Sequence, residues 1–167
     1  MKQIRPRLKG NIKKAYESLI NKESKILVIG DLHEPFCLDG YLAHCKEVYA
    51  KHNCNKVVFI GDVIDNHYSS YETRFVYDNV QYIHGESGRA TKKAKDDMMS
   101  TVQGHRHTEM FTEFVVGANY KVFGCAVGCG IDNTSYAMAY GKNFKKPAIG
   151  CAVVFGGKYA INEPMEL

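Results

Sequence analysis

Two short apolar runs, Lys25-Ile26-Leu27-Val28-Ile29 and Lys56-Val57-Val58-Phe59-Ile60, read as strands buried on both faces. Each is preceded by a segment with helical spacing. Residues Ile12 to Ile20 place Ile12, Ala15, Tyr16, Leu19 and Ile20 on one face. Residues Tyr41 to Lys51 do the same with Tyr41, Leu42, Cys45, Val48 and Tyr49, after Pro35 and Gly40 break the chain. Further along, Val80 to His84 alternates as a strand, 88–97 reads as a basic helix, and 99–103 as another strand. Phe111 to Val116 and Tyr120 to Val127 flank Gly117-Ala118-Asn119 as a hairpin. Ala148 to Phe155 and Lys158 to Ile161 form a second one around Gly156-Gly157. The stretch 63–78 is polar, rich in tyrosine and without clear period.

Composition narrows the class. With 167 residues and 45% apolar content the chain suits one globular domain with a real core. No apolar run reaches the eighteen or so residues of a membrane span, and the basic start lacks the apolar stretch of a signal peptide, so a cytoplasmic protein without membrane contact is expected. Six cysteines, at 37, 45, 54, 125, 129 and 151, are too sparse for a secreted disulfide framework and fit reduced, buried thiols. Cys125 and Cys129 have a spacing that zinc could use, but small apolar packing suits them better.

The net charge of +4 is unevenly placed. Residues 1–16 hold Lys2, Arg5, Arg7, Lys9, Lys13 and Lys14 and no acid, leaving the remainder slightly acidic. We therefore divide the chain into a basic arm with the start of the first helix, 1–16, and a single domain, 17–167. The arm suits nucleic-acid phosphates, and equally a solvated terminus.

Candidate chemistry gathers where the strands end. Gly30-Asp31-Leu32-His33 and Gly61-Asp62 follow the two apolar runs, and Gly104-His105-Arg106-His107 follows the 99–103 strand. In an extended Asp-X-His both side chains share a face, because strand side chains alternate with period two. The same alternation pairs His105 with His107 and turns Arg106 away. With His84 added, two aspartates and four histidines make a mixed nitrogen and oxygen donor set. Such a set suits Mn, Fe, Zn or Ni rather than a thiolate zinc site. A lone Gly-Asp is ordinary turn chemistry, and a lone histidine is more often structural. Their joint occurrence at strand ends is what points to metal.

The order Asp31-X-His33, Gly61-Asp62-X-X-Asp65, His84-Gly85 and Gly104-His105-X-His107 resembles the calcineurin-like metallophosphoesterases. Asp31 to Phe36, Asp65-Asn66-His67 and Tyr136 to Gly141 look like the branch found in tailed bacteriophages, which implies a host-cytoplasmic setting. The resemblance runs from about Gly10 to about Gly157. It implies an α/β fold, a layered β-sandwich flanked by helices, and hydrolysis of phosphoesters, diesters above all, through two divalent ions, with Mn first. It also implies that Asp31, His33 and His107 hold one ion, that Asp62 bridges, and that His84 and His105 hold the other.

One family segment is absent. A Gly-Asn-His-Asp/Glu stretch belongs between Gly-Asp and the isolated histidine, where its Asn completes the second metal and its His protonates the leaving group. Asn66-His67 has the right residue types at a different position, which makes His67 the candidate acid and Asp65 a residue that orients a ligand. The shortening removes one strand-helix unit. The opened sheet edge then falls to the 63–78 segment, with Tyr68, Tyr71, Phe75, Val76 and Tyr77, or to a second copy in a homo-oligomer. The alternative to a hydrolase is a catalytically weak metal-binding domain that binds nucleic acid or a protein partner.

Overall fold

A computed structural model describes residues 23–64, 74–85, 88–140 and 145–166. The expected helix 12–20, the basic arm, Asp65, Asn66, His67, Tyr68 and Tyr71 lie outside the described residues. Nine strands and three helices follow in chain order: β1 Lys25–Ile29, α1 Tyr41–Lys51, β2 Lys56–Phe59, β3 Phe75–Tyr77, β4 Val80–Ile83, α2 Ala90–Asp96, β5 Ser100–Gln103, β6 Phe111–Val116, β7 Lys121–Ala126, α3 Asn133–Tyr140, β8 Gly150–Phe155 and β9 Tyr159–Pro164.

The strands form two mixed sheets, ordered β2-β1-β8-β9 and β3-β4-β5-β7-β6. β1 and β2 run parallel, as do β4, β5 and β7, while the hairpins β3-β4, β6-β7 and β8-β9 are antiparallel. β1 shows why its sequence is apolar throughout. Ile26 and Val28 enter the core between the sheets with Tyr82, Val102, Phe123 and Val154. Leu27 and Ile29 face the other way, toward Tyr41, Cys45 and Val48 of α1. A strand with both faces covered reads as a near-continuous apolar run. The order of layers is helix, sheet, sheet, helix, with α2 laid on the second sheet through buried Ala90 and Ala94.

This is the α/β sandwich that the resemblance implied, and most elements fall within two residues of where the pattern put them. Leu42 departs from it, because it is exposed while its helix buries Tyr41, Cys45 and Val48. β3 and α3 had not been expected. β3 is three residues long and joins β4 through Asp78 and Asn79, both with positive φ (51° and 59°), the geometry of a tight hairpin turn. It pairs Phe75 with Tyr82 and Tyr77 with Val80, which makes β3 the outer strand beside β4. All six cysteines are free thiols, five of them buried.

The direction of the parallel strands decides where a site can form. β1, β2, β4 and β5 deliver their carboxyl ends to one side of the sandwich, the usual place for a site in open α/β sheets.

Two buried tyrosines test the packing by contrast. The Tyr41 hydroxyl donates to the Gly150 carbonyl at 2.9 Å, whereas the Tyr82 hydroxyl has no hydrogen-bond partner among the described residues. Tyr41→Phe is expected to cost about 1 kcal/mol in urea denaturation, and Tyr82→Phe to be neutral or stabilising. The reverse order would contradict these hydrogen-bond assignments.

Candidate metal centre

Asp31 sits two residues beyond β1 and is wholly buried. Its two oxygens are separately engaged. Oδ1 accepts the backbone N–H of Asp62 at 3.0 Å, and Oδ2 accepts that of His105 at 2.6 Å. These donors come from the loops after β2 and β5, one in each sheet. The glycine before each donor has a reason in this contact. A Cβ on Gly61 would lie 2.3 Å from Asp31 Oδ1, and one on Gly104 would lie 2.9 Å from Oδ2. Gly61 also has φ of 95°, a region that side chains disfavour. The recurrent Gly-ligand pattern thus marks close approach of backbone to one carboxylate.

Around Asp31 the other side chains form two groups of three. Asp31, His33 and His107 each offer a donor atom, all within 4.8 Å of one another, and so do Asp31, Asp62 and His84. The His107 Nε2 lies 3.9 Å from Asp31 Oδ1. The His84 Nδ1 lies 3.8 Å from Asp31 Oδ1 and 3.6 Å from Asp62 Oδ1. The other oxygen of Asp62, Oδ2, is 3.8 Å from His33 Nε2. Asp62 therefore turns one oxygen toward each group. The inner group is the more enclosed, since the Asp62 side chain is 42% exposed against 8% for His33.

His105 stands apart. Its imidazole is in neither group and pairs with His84 instead, Nδ1 to Nε2 at 2.8 Å. His105 and His107 thus diverge rather than acting side by side. Strand alternation does not set these positions either. His33 and His105 have φ of 51° and 66°, so each follows a left-handed turn in place of an extended segment. The turn at His33 is held by the N–H groups of Leu32 and His33, which both donate to the Asp62 carbonyl, at 3.0 and 2.8 Å. Arg106 does turn away, to Glu109 at 2.5 Å.

The electrostatics suit cations. Burial pushes the Asp31 carboxyl upward, but the His107 imidazole, the Asp62 N–H and His84 outweigh it and hold its pKa below the ordinary 3.8. Burial and the neighbouring His84 hold His105 below the ordinary imidazole value of 6.5, which keeps it neutral. Among the described residues no lysine or arginine pairs with Asp31 or Asp62. The buried His107 Nε2 has no hydrogen-bond partner there either. Among the described residues these two carboxylates have no Lys or Arg partner, and together with the imidazole nitrogens facing them they are a donor set that fits divalent ions.

Several contributors were not anticipated. The Tyr136 ring meets His33 edge-on, centroids 5.0 Å apart, and forms a wall of the site from α3. α3 had a readable start, because Asp132 accepts the Thr134 N–H at 2.9 Å and the Ser135 hydroxyl at 2.6 Å, the pattern of a capping residue. The proposed acid His67 and its neighbour Asp65 lie outside the described residues.

Residues 24–93 match the family model of the calcineurin-like phosphoesterases. That match supports the family and takes in Asp31, His33, Asp62 and His84, while His105 and His107 lie beyond it. No curated protein matches the chain.

The clamp on Asp31 is open to a direct test. Asp31→Asn keeps the shape but aims an amide NH2 at a backbone N–H, and is expected to cost about 1–3 kcal/mol at neutral pH. Because the folded pKa is depressed, the carboxylate's contribution is complete above its unfolded pKa and is lost as pH falls through the folded value. Wild type and variant should therefore converge in stability at acid pH. A gap that persists or widens on acidification would overturn the assignment.

Proposed function

We propose that this chain is a metal-dependent hydrolase of phosphoesters, phosphodiesters in particular, working with two divalent ions. The observation that carries the reading is the pair of donor groups sharing buried Asp31 at the carboxyl ends of β1, β2, β4 and β5. Asp31, His33 and His107 would hold one ion, Asp62 and His84 the second with His105 beside them, and Asp62 would bridge. Its two oxygens, one toward each group, support that last role. Mn suits the donors best, with Fe, Zn and Ni also compatible.

Bound there, the ions would neutralise phosphoryl oxygens and lower the pKa of a water toward neutrality. The chain supplies the rest. The Asp31 carboxylate, fixed by two N–H donors, keeps the centre from reorganising. The imidazoles add nitrogen donors that carry no negative charge, so they do not cancel the ions' charge. Half-exposed Asp62 and exposed His105 leave the outer side open to substrate.

A proton for the leaving group is the part with no described source. Of seven histidines, four belong to the centre, and His44 and His52 contact Glu163, at 3.2 and 2.5 Å. That leaves His67 for an imidazole acid. General acid assistance is typically worth about 10²–10⁴-fold and matters least for weakly basic leaving groups.

With added Mn²⁺, measurable hydrolysis of bis(4-nitrophenyl) phosphate is expected, with poor hydrolysis of alkyl linkages such as those of DNA. His107→Ala or Asp31→Ala should abolish the easy reaction, and Asp62→Asn should impair it severely. His67→Ala separates the roles, and a loss on alkyl esters far greater than on nitrophenyl esters would assign His67 as the acid. Alkyl and aryl diesters cleaved at equal rates, with His67→Ala affecting neither, would refute the leaving-group argument.

A further inference from the structure

A cavity of about 180 Å³ opens directly beside His107, lined also by Thr108, Ile131, Asn133, Tyr136, Lys145 and Pro147. Resting on the phosphoesterase reading, we propose that it is the subsite for the organic substituent of the phosphoester, and that it takes a single aromatic six-membered ring.

Size argues first. An apolar protein cavity of about 150 Å³ admits benzene, whereas sites for whole drug-sized ligands run to roughly 300–1,000 Å³. The space beside His107 therefore holds one ring and not a bicyclic base with its sugar. The walls argue for flatness. Ile131 is buried, and the Tyr136 ring is fixed by edge contacts with His33 at 5.0 Å and Phe36 at 5.8 Å between centroids. A ring entering there meets an aromatic face that need not reorder on binding.

Position argues for a substituent close to phosphorus. His107 belongs both to the inner donor group and to the cavity wall, so a phosphoryl group at the centre has the cavity as its neighbour. Backbone hydrogen bonds tie the two together. The Ala148 N–H donates to the His107 carbonyl at 2.7 Å, the Cys129 N–H to the Ala148 carbonyl at 3.0 Å, and the Gly130 N–H to the Asp31 carbonyl at 2.8 Å. Within the lining, the Asn133 amide and the Lys145 ammonium supply polar groups for a polar substituent on the ring.

Binding of non-hydrolysable phosphonates to the Mn²⁺-loaded full chain, followed by calorimetry, tests this without relying on turnover. Phenylphosphonate is expected to bind about tenfold more tightly than methylphosphonate. 1-Naphthylphosphonate should bind more weakly than phenyl because the second ring does not fit. Asn133→Trp puts a bulky side chain into the lining and should remove the phenyl preference. The wild-type order of the three ligands stands as evidence even if that variant folds poorly. Equal binding of phenyl- and methylphosphonate, tighter binding of naphthyl, or no binding of any would overturn the subsite. Aryl diester hydrolysis with equal phosphonate binding would sink the subsite and spare the hydrolase. The phenyl preference without any hydrolysis would do the opposite.

Discussion

A single buried carboxylate holds the functional end of this molecule together. Asp31 follows a strand buried at all but its first residue and has no exposed surface, yet no lysine or arginine among the described residues neutralises it. Burying an ionised group costs several kcal/mol unless hydrogen bonds replace its water. Here the N–H groups of Asp62 and His105 do so, and bonds to an ionised acceptor are roughly twice as strong as neutral ones. Because those donors belong to different sheets, the carboxylate also ties the sheets at their carboxyl ends. Gly61 and Gly104 are consequences of the same contact, since a side chain at either would occupy the space of the carboxylate.

That arrangement makes the two donor groups unequal. Asp31 and His33 are buried and the Asp62 side chain is 42% exposed, while His84 and His107 are partly exposed to a similar degree and His105 is exposed. An ion in the inner group would exchange with water less readily than one outside. The proposed substituent cavity opens on the inner side, beyond His107. On the proposed reading, Asp31 anchors the centre, Asp62 and His105 face the solvent, and the cavity beside His107 takes the organic group.

Much of this was legible in the chain. Unbroken apolar β1 could only be a strand covered on both faces, and Tyr41 to Lys51 carried its helix in its spacing. The ligand residues announced themselves by recurring at strand ends. Local backbone shape was harder to read. Alternation would have aligned Asp31 with His33 and His105 with His107, but left-handed turns at His33 and His105 set their directions instead. Such turns are stabilised by contacts with a distant loop, as at the Asp62 carbonyl, and no local pattern encodes them. β3 was missed because three residues are too few for a period, although Asp78-Asn79 is turn chemistry. α3 was missed despite its Asp132 cap, and with it the Tyr136 wall.

Metal stoichiometry bears most directly on the proposed centre. Calorimetric titration of the metal-free chain with Mn²⁺, backed by elemental analysis, should give two ions per chain in two phases of different affinity. Asp62→Ala should remove the weaker phase and spare most of the tighter one, because Asp31, His33 and His107 remain. A single ion at saturation, with Asp62→Ala binding it normally, would contradict the two-ion centre and the bridging role of Asp62.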